Sequence, residues 1–124
     1  MLVNLAYLLN RPTGTTAYAL NLLPYLQPLS PLYAATPASQ LNPKAANYIA
    51  VPDNMTQGTS GHLRRLWWTQ FQLSKLCQQN QTRLLFSPIP ETPLAIGQPR
   101  RYRAVVTCHD LIPLRFPAMF GSIK

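Results

Sequence analysis

Hydrophobic positions along the chain alternate between short continuous runs and one long periodic stretch. Residues 2–9, "LVNLAYLL", are almost uniformly apolar and are followed by Asn10, Arg11 and Pro12, the pattern of a strand covered on both faces in a parallel sheet. In "PTGTTAYALNLLPYL", Pro12 and Gly14 supply a turn and Thr15 or Thr16 a cap. Ala17, Leu20, Leu23, Tyr25 and Leu26 form an approximate helical stripe, which Pro24 should kink or end. Residues 31–36 and 47–52 read as short strands separated by a Pro/Ser/Asn-rich loop. The clearest periodicity lies in residues 62–80. There Leu63, Leu66, Trp67, Phe71, Leu73 and Cys77 fall within one arc at ~100° per residue, opposite Arg64, Arg65, Gln72, Lys75 and Gln79. This predicts an amphipathic helix with Trp67 inside and Trp68 off the buried arc. Gln70 and Ser74 lie within the apolar arc and need hydrogen-bond partners if buried. Residues 83–88 and 103–108 complete the set as two further strands.

The order strand, helix, strand, strand, helix, strand, strand predicts an α/β fold, a Rossmann-like, doubly wound, mostly parallel sheet with right-handed crossovers. Ligands of such sheets bind beyond the carboxyl ends of the strands, where strand order reverses. That rule gathers residues 12–15, 87–90 and 109–111 around one crevice.

Composition narrows the reading. A chain of 124 residues is long enough for one domain, and a 47% hydrophobic content with 11% charged residues argues for a packed core rather than a disordered segment. The 13 prolines, concentrated in residues 24–52 and 88–117, imply long irregular connections. Eleven basic residues against three acids give +8, which suits a nucleic acid, an anionic membrane surface or a phosphorylated substrate. Arg64 and Arg65 have no aromatic between them and the group Arg100, Arg101 and Arg103 has one, Tyr102, too few for a nucleic-acid stacking platform; the second group reads as a solvated loop and strand entrance, with phosphate contact as the lesser alternative. Cys77 and Cys108 lie in apolar stretches without metal-ligand spacing and are expected to be reduced, buried thiols of a cytoplasmic chain, with peripheral membrane contact left open. The apolar start is too short to span a bilayer.

The most chemical pair is His109 and Asp110 at the end of the last strand, because imidazole titrates near neutrality and a carboxylate can orient it. Neighbours on an extended strand point oppositely, so a plainer arrangement is also expected: His109 on a loop carbonyl and Asp110 capping a turn. "PTGTT" places backbone amides at a helix start without matching a dinucleotide or Walker loop.

Four segments, "NRPTGTTAYALNLLPYL", "GHLRRLWWTQFQL", "RLLFSPIPETPL" and "VVTCHDLIPLRFP", together resemble the amino-terminal domain of group 1, glycogen-synthase-like glycosyltransferases of the GT-B type. The resemblance implies an incomplete amino-terminal, acceptor-side domain of a retaining enzyme that uses a nucleotide-diphosphate sugar without a metal or other cofactor. It implies His109 as the catalytic residue in the cleft, Gly14 as the donor-binding position, and Thr13, Ser87 and Asp110 on the acceptor side. The implied partners are a saccharide or lipid-linked sugar acceptor and a separately encoded donor-binding domain. Thr69 and Phe86 depart from the family pattern, standing where many relatives carry an acid and a histidine. The expectation from another class is a noncatalytic fragment that binds nucleic acid or an anionic membrane through its basic surface.

Overall fold

In the computed structural model, residues 1–8, 13–29, 31–36, 47–52, 58–94 and 101–116 are described. The chain runs β1 (Leu2–Leu5), α1 (Gly14–Leu26), a 3-10 turn (Gln27–Leu29), β2 (Leu32–Ala35), β3 (Tyr48–Ala50), α2 (Gly58–Trp68), a π turn (Thr69–Leu73), α3 (Ser74–Gln79), β4 (Leu84–Ser87), β5 (Arg103–Val106) and α4 (Ile112–Arg115). Among the described residues the sheet has five strands in the order β3-β2-β1-β4-β5. Every pairing is parallel. This is an α/β, Rossmann-like arrangement, and its order reverses between β1 and β4. Pro12, the residues 37–46 expected to form a loop, and Arg100 lie outside the described residues.

Strand β1 is buried along its whole length because it has a strand on each edge and a helical layer on each face. Val3 and Leu5 join Ala19, Leu23 and Leu26 of α1, while Leu2 joins Ala34, Leu85, Trp68, Leu73 and Cys77 on the side of α2 and α3. Two-sided burial explains why residues 2–5 read as an unbroken apolar run apart from Asn4. That residue is 1% exposed. Its side-chain amide donates to Ser87 Oγ (3.3 Å) and its Oδ1 accepts from the Ala6 amide (3.2 Å), so its polar atoms are used internally. The pair pins β1 to β4 where strand order reverses.

Helix α1 differs from expectation at its start and on its face. Thr13, rather than Thr15 or Thr16, is the cap: its Oγ1 accepts from the Thr16 amide (3.3 Å). The face turned inward is Thr16, Ala19, Leu23 and Leu26, whereas Ala17, Leu20 and Tyr25 are exposed. Starting the helix at Gly14 sets this phase. Pro24 stays inside α1, and the chain tightens into the 3-10 turn only after Leu26.

The long helix begins earlier than its periodicity suggests, at Gly58, whose φ of +63° favours glycine. The positions of the two tryptophans are reversed. Trp68 is buried, while Trp67, Phe71 and Leu63 are each more than half exposed, with Trp67 and Phe71 rings 5.3 Å apart on the outside. The cause is the π turn, which inserts one residue into the helical ladder. Gly61, Arg65 and Trp68 form the inward stripe before it, and Thr69, Leu73, Leu76 and Cys77 form the stripe after it, displaced by one residue. A single 3.6-residue period cannot describe both. Gln70 meets the need foreseen for it: its amide donates to Thr92 O (3.2 Å) and its Oε1 accepts from the Leu94 amide (2.7 Å). Arg65, expected on the solvent side, is half-buried and grips Glu91 with two bonds (2.7 and 3.0 Å).

Cys77 is buried as expected, and burial pushes its thiol up to about 12. Cys108 is exposed, because it lies beyond the last residue of β5, where no described helix covers it. No helix among the described residues is long and apolar enough to cross a membrane.

Two measurements check this account. The rod ends at Gln81, a non-glycine residue with φ of +49°, so Gln81→Gly should stabilise the fold by about 1 kcal/mol in chemical denaturation; a loss of stability would show that the left-handed turn is not strained. Cys77 stays protonated in the folded chain above its ordinary value of 9.0, so its contribution is complete below that pH and is lost as pH rises toward about 12. Cys77→Ala should flatten this alkaline fall in stability, and iodoacetamide should label native Cys108 while sparing Cys77.

Candidate functional site at the reversal of strand order

The carboxyl ends of β1, β4 and β5 converge on the chemistry singled out in the sequence. β5 delivers Thr107, Cys108, His109 and Asp110 in extended chain, and the Thr107 amide continues the ladder to Ser87 O (3.0 Å). His109 then leans over its neighbours. Its Nε2 lies 2.6 Å from the carbonyl of Pro88 at the exit of β4, and its ring meets Tyr18 of α1 edge to face, with centroids 4.9 Å apart. The ring thereby spans the two elements that flank the reversal, and the residue remains exposed.

The Pro88 contact also fixes which ring nitrogen carries the proton. A carbonyl oxygen only accepts, so Nε2 must donate, and in the neutral imidazole Nδ1 keeps its lone pair. Nδ1 can therefore accept a hydrogen bond or a proton from a ligand hydroxyl. The plainer arrangement foreseen for the pair is present as well. Asp110 Oδ1 accepts from the Ile112 amide (2.7 Å), opening the short helix α4, which the sequence pattern did not signal. Asp110 does not orient the imidazole by a hydrogen bond; the orienting contacts come from Pro88 and Tyr18.

The start of α1 forms the adjoining rim. Thr13 is exposed, and its Oγ1 lies 3.1 Å from Thr15 Oγ1 and 3.0 Å from Thr16 Oγ1. The Tyr7 hydroxyl donates to Thr15 O (3.5 Å), and burial, aided by nearby Tyr18, raises the Tyr7 phenol well above its ordinary range. The Tyr18 hydroxyl lies 3.3 Å from Thr107 Oγ1, tying α1 to the end of β5. Gly14 is the first residue of α1 and has open space around it: a Cβ added there meets no atom within 4 Å. Its lack of a side chain serves no packing need within the described residues. Ser87, expected along the acceptor side, is fully buried and accepts from Asn4, so its hydroxyl braces the sheet instead.

His109 is thus tied to α1 through Tyr18, Thr13 and Gly14 stand at the start of that helix one turn earlier, Asp110 follows His109, and Ser87 is buried in the sheet. Tyr18 and Thr107 were missed by the sequence reading. Tyr18 sits four residues after Gly14, hence on the same helical face one turn further on, and that spacing was the available signal. Among the described residues no group of three His, Cys, Asp or Glu could hold a metal ion. Searches against family models, curated proteins and solved structures return no match for the chain.

The protonation pattern is open to nitrogen NMR of labelled histidine. In the neutral state His109 should show a protonated Nε2 and an unprotonated Nδ1; the reverse pattern would remove the hydrogen bond to Pro88.

Proposed function

We propose that this chain is the acceptor-side, amino-terminal domain of a retaining glycosyltransferase of the group 1, GT-B type, acting from a nucleotide-diphosphate sugar on a saccharide or lipid-linked acceptor. One observation carries the reading. His109 is held at the reversal of strand order between Tyr18 of α1 and Pro88 at the exit of β4, and Gly14, one helical turn before Tyr18, has open space around it.

In this reading the acceptor hydroxyl attacks the anomeric carbon while the bond to the departing diphosphate breaks. The sugar passes through a state with positive, oxocarbenium-like character, and negative charge builds on the leaving group. His109 offers Nδ1 to a hydroxyl of the donor sugar and so fixes the sugar relative to the sheet. Gly14 lets the start of α1 approach the donor without a side chain in the way. Thr13, exposed on the same rim, and the Asp110 carboxylate oxygen not used on Ile112 supply acceptor contacts. The departing diphosphate needs cations on the opposite side of the cleft, supplied by a donor-binding domain. Closure of the two domains would exclude water and hold the acceptor hydroxyl on the face of the sugar from which the diphosphate departs, so that configuration is retained and a departing phosphate oxygen takes the hydroxyl proton.

Two outcomes follow for purified chain. With labelled nucleotide sugar and acceptor, residues 1–124 alone should give no turnover. Once joined to a donor-binding domain, transfer should appear and should fall by about 10²–10³-fold in His109→Ala, the loss typical of one preorganised polar contact. Gly14→Ala should leave the thermal transition unchanged or slightly raised, since the site has room and alanine favours helix, while lowering transfer. Turnover by the chain alone that vanishes in His109→Ala would overturn the two-domain reading. Undiminished transfer by His109→Ala in the joined enzyme would overturn the site.

A further inference from the structure

At the opposite end of the sheet the chain gathers a second set of charged residues. Arg83 precedes β4, and Arg101 and Arg103 flank Tyr102 at the start of β5. Arg83, Arg101, Tyr102 and Arg103 line one open depression of about 520 Å³. A smaller one of about 230 Å³ adjoins it, sharing Arg83, Arg101 and Tyr102 and adding Gln78 and Gln81. The backbone holds the arrangement in register, because the Arg103 amide donates to Arg83 O (3.0 Å) and Tyr102 is buried between the two exposed arginines.

Nothing among the described residues neutralises these cations. The chain has three acidic residues. Glu91 is engaged by Arg65, and Asp110 caps the turn beyond the other end of β5. Asp53 lies outside the described residues. Guanidinium groups can be drawn to the end of a helix by its unsatisfied carbonyls, but three of the last four in α3 are already taken. The carbonyl of Leu76 accepts from the backbone and side chain of Asn80, that of Cys77 from Thr82, and that of Gln78 from Gln81. Three like charges in one depression repel one another, and that repulsion falls when an anion sits among them. The planar guanidinium fork matches phosphate oxygens two at a time, and glutamine amides add neutral donors.

We propose that Arg83, Arg101 and Arg103 form a binding site for a phosphate or diphosphate group at the amino-terminal ends of β4 and β5. This site is separate from the rim at His109, since the two lie at opposite ends of the same parallel strands. The group it takes belongs either to a soluble phosphorylated molecule or to the headgroup of a phospholipid.

Calorimetric titration of the whole chain with inorganic pyrophosphate, at low and moderate salt, tests the proposal. Pyrophosphate should bind saturably and more tightly than sulfate. Replacing all three arginines by glutamine should weaken binding by about tenfold or more, the scale of one lost charge-assisted bidentate contact. Replacing them by lysine keeps the charge and loses the fork, and should weaken binding measurably as well. Arg64→Gln, on the exposed side of α2, should leave it unchanged. Retained phosphatidic-acid vesicle binding that pyrophosphate displaces identifies a lipid headgroup as the source, and pyrophosphate binding without vesicle binding identifies a soluble one. Equal affinity in the wild type and the glutamine variant, or in the wild type and the lysine variant, would show that net charge alone attracts the anion and would overturn the site.

Discussion

Everything in this fold depends on β1 being enclosed on four sides. Its edges are satisfied by β2 and β4, and its faces by α1 and by the α2 to α3 rod, so its residues must be apolar or internally paired. Asn4 is the exception that locates the reversal of strand order. A polar side chain in that position is tolerated only because Ser87 and the Ala6 amide use its hydrogen-bonding atoms. The same enclosure fixes where the chain can emerge, and the carboxyl ends of β1 and β4 open side by side with β5 next to them.

The architecture was legible because it follows from coarse features. Continuous apolar runs of strand length, separated by a helical period, lead to a parallel sheet with helices on both faces, and the rule that ligands collect where strand order reverses then brings residues 12–15, 87–90 and 109–111 together. Residues 87–90 and 109–111 meet there through Pro88 and His109, while α1 reaches them through Tyr18, one turn beyond residues 12–15. The direction of individual side chains was less legible. Ser87 is polar at the end of a strand, which suits both an outward contact and an inward brace; only the burial of Asn4 opposite it decides, and that is a tertiary fact.

The misread helix has a more specific cause. A single straight helix through residues 62–80 has its best apolar arc with Trp67, Phe71 and Leu63 inside. The added residue in the π turn breaks that arc into two, and Trp68 and Thr69, neighbours in sequence, both point inward. Cys108 misled differently. Its surroundings in sequence are apolar, but Val105 and Val106 are themselves exposed on β5, whose outer edge has no described neighbour, so an apolar neighbourhood did not mean burial.

Two residues of the long helix grasp the segment leaving β4, one ahead of the π turn and one inside it. Arg65, ahead of it, holds Glu91, and Gln70, within it, holds Thr92 and Leu94. Pro88, whose carbonyl accepts the hydrogen bond of His109 Nε2, begins that same segment. A short run of chain therefore connects the imidazole with the helix that carries the π turn. Four hydrogen bonds to Arg65 and Gln70 and one to the imidazole thus anchor a single stretch of seven residues, Pro88 to Leu94.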